Sequence, residues 1–112
     1  MKINLKATNL VLTPAIEKYL KEKIKMVEKY LGALKVTACD VELALTTHHH
    51  NKGEIFKAEI NLAVPGDLLR ISKTESDLYK AIDKAKDHLV EAIKKHKGKE
   101  KAKSRKTIIK AS

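Results

Sequence analysis

Three adjacent histidines, His48-His49-His50, are the one cluster in the sequence that could take a metal ion. Neighbouring imidazoles in a turn can reach a single ion, but a firm site needs further ligands and outer partners that fix them. No such partners stand at a fixed spacing, so the triplet reads as an exposed turn, and neither metal nor other cofactor is expected. The lone cysteine, Cys39, falls within an apolar alternation, where it reads as a small core residue rather than a nucleophile. There is no Gly-rich phosphate loop, G-x-S-x-G elbow, H-E-x-x-H element or cysteine pair for zinc. The carboxylates are scattered among lysines at helical spacing, the pattern of solvated, ion-paired faces. These residues predict neither an enzyme nor a small-molecule substrate.

What remains is the chemistry of lysine. The 112 residues carry a net charge of +10, and its location matters more than its size. From Lys94 to Ser112 nine Lys/Arg face one acid, Glu100, which leaves the first 93 residues at only +2. A cationic end favours a polyanion, of which nucleic acid is the commonest large example. A solubilising tail with no dedicated partner is the alternative. One cysteine cannot close an intrachain disulfide, the Met1 end lacks an apolar run of signal length, and no stretch approaches a membrane span. The expectation is a soluble cytoplasmic protein with one hydrophobic core and no membrane contact.

The elements that must position the lysines follow from periodicity. "KINLKA" (Lys2 to Ala7) alternates like a half-buried strand. "TPAIEKYLKEKIKMVEKYLG" sets Thr13 as N-cap, Pro14 at the first helical position and Gly32 as the stop, with Ile16, Leu20, Ile24, Val27 and Leu31 at helical spacing. "VTACDVELALTT", "EIFKAEINLAV" and "LLRIS" read as three strands of an antiparallel meander, the last two joined by a turn at Pro65-Gly66-Asp67. A second helix begins near Ser76, an N-cap candidate, and buries Leu78, Ile82, Ala85, Leu89 and Ile93. The sum is a two-layer α+β sandwich in the order β-α-β-β-β-α, a four-stranded sheet with both helices on one face. The other sheet face, with Glu42, Lys57, Glu59, Asn61 and Arg70, stays wet. Past His96 the apolar period fails, so residues 1–97 are taken as the folded domain and residues 98–112 as a basic tail, disordered alone and able to order on a partner.

Helical wheels sort the cations. Lys80, Lys84, His88 and Lys95 share about a quarter of the second helix's circumference at ~100° per residue, with Glu91 interrupting. On the first helix Lys18, Lys25 and Lys29 point outward, whereas Lys23 lies inside the apolar arc beside Tyr19 and Tyr30 and must snorkel to its edge. Solvated faces with pairs such as Glu17 to Lys21 are the alternative reading. With no Trp and a single inward Phe56, a platform for stacked single-stranded bases is not expected, and lysines reading the charge and shape of a structured RNA fit better.

"INLKATNLVLTPAIEKYLKEKIKMVEKYLG" and "DLYKAIDKAKDHL" followed by "KKHKGK" resemble the ribosome hibernation promoting factor and ribosome-associated inhibitor family, also labelled sigma-54 modulation or ribosomal subunit interface proteins, from about Lys2 to Lys99. The resemblance implies a β-α-β-β-β-α fold similar to double-stranded-RNA-binding domains and a non-enzymatic inhibitor of translation in stress or stationary phase. The implied partners are the whole ribosome and the small ribosomal subunit with its rRNA, bound at the subunit interface in the decoding channel, where mRNA and tRNA would be blocked. Carried over by position, Lys23, Lys29, Lys95, Lys97 and Lys99 keep the family's basic character; Lys25 and Lys84 are added from the wheels, and His88 stands where Lys is common. Met26 and Glu91 depart from the family, which is often Lys and Arg there. Ending at Ser112 without a further domain, the sequence resembles the short form. A general structured-RNA-binding module and a regulatory protein-interaction module of the sigma-54 modulation type are the competing readings.

Overall fold

The computed structural model describes residues 1–46 and 53–111, with side chains through Lys99. The His48-His49-His50 turn therefore lies outside the described residues. Strand β1 (Lys2–Thr8) leads into helix α1 (Pro14–Leu31), whose first turn is closed by Thr13: its hydroxyl accepts from the Ile16 N–H at 3.2 Å and its carbonyl accepts from the Glu17 N–H at 3.0 Å. Pro14 occupies the first turn, where its missing N–H costs nothing. Leu20, Ile24, Val27 and Leu31 form the buried stripe, and the helix stops at Gly32, whose φ of 60° lies in the left-handed region.

Strands β2 (Ala38–Thr46), β3 (Ile55–Val64) and β4 (Asp67–Glu75) follow, and the sheet order is β1-β2-β3-β4. β1 pairs parallel with β2, a feature the sequence did not specify; a parallel neighbour requires a crossover, and α1 supplies it. The other pairings are antiparallel, with Val41 opposite Ile60 and Leu43 opposite Ala58. Pro65 and Gly66 join β3 to β4, and Gly66 takes φ 79° at the turn position that favours glycine. The period of two sends Cys39, Val41, Leu43, Ile60 and Leu62 to the inner face, where they are fully or almost fully buried.

Helix α2 (Leu78–Ala111) completes the core with Ala81, Ile82, Ala85, Leu89 and Ile93. Its cap is Asp77 rather than Ser76: the Asp77 carboxylate accepts from the Tyr79 N–H at 2.8 Å, and the Asp77 carbonyl takes the first helical bond from Ala81 at 3.0 Å. A carboxylate there also meets the positive end of the helix dipole. The helical backbone continues to Ala111, past His96, where the apolar period stops. At 1.5 Å per residue this helix is about 50 Å long, against about 30 Å for the nine or ten residues of the longer strands, so it overshoots the sheet. No helix among the described residues is long and apolar enough to cross a membrane.

Candidate nucleic-acid interface

The two helices lie side by side, and the seam between them engages part of the cationic set. Tyr19 donates its hydroxyl to Asp83 at 2.6 Å and meets the Tyr79 ring edge-on, with centroids 4.8 Å apart. Accepted by a carboxylate and partly desolvated, the Tyr19 phenol is pushed up to about 12. Lys23 reaches the same carboxylate at 3.3 Å and lies 5.0 Å from the Tyr19 ring centre. The snorkelling expected of Lys23 is thus resolved as an inter-helix ion pair, which leaves its side chain 22% exposed. At the other end of the seam Lys97 donates to the Tyr30 carbonyl at 3.0 Å and so satisfies an acceptor in the last turn of α1. Its ammonium sits 3.1 Å from where a Cβ on Gly32 would stand, so the glycine serves both the turn and the lysine.

The remaining predicted cations are exposed and fall in different places. Lys29 lies on the rim between the helices and Lys25 on α1, both exposed and without an ion pair among the described residues. On α2, Lys95 and Lys99 are exposed likewise, while Lys84 is exposed but paired with Glu75 of β4 at 3.1 Å. His88 is exposed and borders both the inter-helix groove and a cleft beside β4 formed with Ser72, Lys73, Thr74, Lys84 and Asp87. The eight residues therefore do not converge on one point. Six line an exposed helical surface, and Lys23 and Lys97 fasten the helices that carry it.

Two further cations escaped the sequence reading. Lys86 pairs with Asp87 at 2.6 Å, and Lys94 lies 5.3 Å from the Tyr30 ring centre with Glu91 at 3.9 Å. Both line an open groove of about 570 Å³ together with Met26, Lys29, Tyr30 and Val90. The missed signal was the spacing of Asp83, Asp87 and Glu91 at four-residue intervals, an acidic row that recruits neighbouring lysines. The two departures, Met26 and Glu91, both face this groove.

The outer sheet face has a different electrostatic character. Glu42 accepts from the Thr8 hydroxyl at 2.7 Å and pairs with Lys57 at 3.3 Å, and Lys57 also reaches Glu59 at 3.5 Å. The Thr8 hydrogen bond, then Lys57, hold the Glu42 carboxyl below the usual range, while the Glu42 hydrogen bond raises the Lys57 ammonium. Cys39 is buried in the core, and burial pushes its thiol up to about 12. Among the described residues no three His, Cys, Asp or Glu come together as metal ligands.

With this geometry in place, the sequence profile of the family described as sigma 54 modulation protein / S30EA ribosomal protein matches residues 3–101. The chain belongs to that family. Among its S30EA relatives, a ribosome hibernation promotion factor of Deinococcus radiodurans is 30% identical over 93 residues, 83% of this chain and 47% of the relative. One from Bacillus subtilis is 29% identical over 88% of this chain and 50% of its own length. The chain thus spans about half the length of the first curated relatives it matches. A ribosome hibernation promoting factor of Pseudomonas putida is covered over 92% of its length at 28% identity. Among solved structures, the N-terminal domain of protein Y from Thermus thermophilus superposes with a TM-score of 0.72 at 31% identity, covering 86% of this chain and 99% of that one. A ribosomal subunit interface protein from Coxiella burnetii gives 0.75 at 15% identity, covering 88% and 99%, a likeness of fold.

Proposed function

We propose that this chain is a non-enzymatic ribosome hibernation factor of the cytoplasm that binds the small ribosomal subunit in the decoding channel at the subunit interface. There it blocks mRNA and tRNA and inhibits translation under stress or in stationary phase. The observation that carries this reading is the exposed helical layer, where Lys25, Lys29 and Lys95 have no ion pair among the described residues, on a domain of the S30EA family. Ribosomal RNA is the polyanion such a layer fits. In this assignment residues 1–97 form the ribosome-binding domain, and Lys25, Lys29, Lys84, His88, Lys95 and Lys99 meet rRNA. Lys23 and Lys97 act indirectly by fixing the helix pair. The basic tail, residues 98–112, adds phosphate contacts, each of which releases counterions and steepens the salt dependence.

Sedimentation of the purified protein with ribosomes, isolated subunits and a structured-RNA competitor at physiological salt tests the proposal. Stoichiometric association with small subunits and whole ribosomes, lost when mRNA and tRNA are bound first, is the expected result. Equal partition onto the competitor would instead mark a general RNA-binding module. Binding to a transcription protein that survives nuclease and high salt would mark a regulatory protein-interaction module.

A further inference from the structure

The groove between α1 and α2 combines groups that a simple phosphate surface would not. Its apolar wall is Met26 and Tyr30, each 43% exposed, with Val90 beneath. Lys29, Lys86 and Lys94 surround that wall, but Asp87 and Glu91 stand among them with side chains 65% and 74% exposed. Asp87 and Glu91 already engage Lys86 and Lys94, at 2.6 and 3.9 Å, so a continuous run of phosphates or an acidic peptide would meet a single ammonium outside an ion pair among the described residues, Lys29. A basic peptide would find both carboxylates already paired with lysines and would face Lys29 besides. The pattern suits a ligand that is flat and apolar in its middle and carries both an anionic group for the lysines and N–H donors for the carboxylates. An unpaired nucleotide has that distribution, and about 570 Å³ is within the range of sites that hold one small ligand.

We propose that this groove seats one unpaired nucleotide of RNA, with guanosine preferred: its base lies against Met26 and Tyr30, Glu91 accepts from its N–H edge, and Lys29 and Lys94 hold its phosphates. Lys94, 5.3 Å from the Tyr30 ring centre and 3.9 Å from Glu91 in the free protein, exchanges both contacts for a charge-assisted phosphate contact when the base arrives, which releases Glu91 to the base. Guanine offers N1–H and N2–H side by side to the two carboxylate oxygens, whereas cytosine and adenine offer one amino group and uracil one imide N–H. A single tyrosine in a single groove is compatible with the scarcity of aromatics that argues against an extended stacking platform. The inference deepens the proposed function and rests on it for the source of the RNA.

The test uses labelled heptaribonucleotides, a uridine run with G, C, A or U at the centre, titrated by fluorescence anisotropy at one fixed salt concentration. The G-centred oligomer should bind on the order of ten-fold more tightly than the all-uridine one. Glu91→Gln should narrow that preference to about two-fold, and Tyr30→Leu should weaken the G-centred oligomer by about ten-fold. Both side chains are exposed, and thermal melting verifies that the variants fold. Equal affinity for all four oligomers, or a preference that survives Glu91→Gln, overturns the inference. Sedimentation with small subunits on the same preparations separates the two ideas. Retained ribosome binding without base preference removes the nucleotide site alone, and base preference without ribosome binding removes the hibernation reading alone.

Discussion

The sandwich has two polar faces, and they differ in what their charges do. On the outer sheet face Thr8, Glu42, Lys57 and Glu59 satisfy one another across three strands, and among the described cations of that face only Lys2 and Lys6 on β1 and Arg70 on β4, the two edge strands, stay outside that network. On the helical face the acids follow a four-residue row on α2, and several lysines lie beyond their reach, Lys25, Lys29 and Lys95 among them. The difference arises from geometry. Cross-strand neighbours about 5 Å apart pair readily, whereas among the described residues the helices meet a second element's charge only at their seam, where Lys23 pairs with Asp83, and beside β4, where Lys84 pairs with Glu75. Net charge is therefore a poor guide to a binding face, and the number of unengaged cations gathered on one face is a better one.

The sharpest way to break this comparison is Lys29→Glu with Lys95→Glu, which should weaken small-subunit binding on the order of 100-fold while the melting temperature stays within about 3 °C. Lys23 belongs in a different experiment, because a glutamate there would face Asp83 and damage the seam itself. Tyr19→Phe, measured by urea unfolding, should cost about 1.5 kcal/mol through the lost bond to Asp83. The phenol's folded pKa, about 12, lies above its ordinary value of 10.0, so its contribution is complete below pH 10 and is lost as pH rises toward 12. The gap between wild type and Tyr19→Phe should accordingly close over that window. Gly32→Ala should cost about 1.5 kcal/mol in the same assay, since it strains a φ of 60° and crowds Lys97. The smallest effect belongs to the sheet face: Lys57→Met should lower the melting temperature by about 3 °C and leave ribosome binding unchanged. The Glu42 carboxyl is depressed, so its contribution is present above its ordinary pKa of 4.5 and lost as pH falls below it, an acid limb that Lys57→Met should shrink.

Element order and the buried faces were legible because alternation and helical spacing are local: the Leu20, Ile24, Val27 stripe and the Leu43, Ile60, Leu62 face are buried as their periods require. The parallel placement of β1 was not legible, since pairing between distant strands leaves no local signature. Among the cations, Lys25, Lys29 and Lys95 stand exposed as the wheels place them. A wheel marks Lys23 as unusual but cannot name Asp83, on the other helix, as its partner. Lys97 falls past the end of the apolar period, and its acceptor, the Tyr30 carbonyl, is set by how α1 ends against α2. Asp77 displaces Ser76 as the cap because two adjacent residues both had the right side chain, and only backbone geometry chooses between them.

Lysine acetylation of the protein, free and bound to small subunits, read by mass spectrometry, tests the central claim most directly. The account predicts protection of Lys25, Lys29 and Lys95 on binding, with Lys2 and Lys6 of the sheet face as reactive as in the free protein. Protection of Lys2 and Lys6 with Lys29 and Lys95 still reactive would contradict it and turn the domain over on the ribosome.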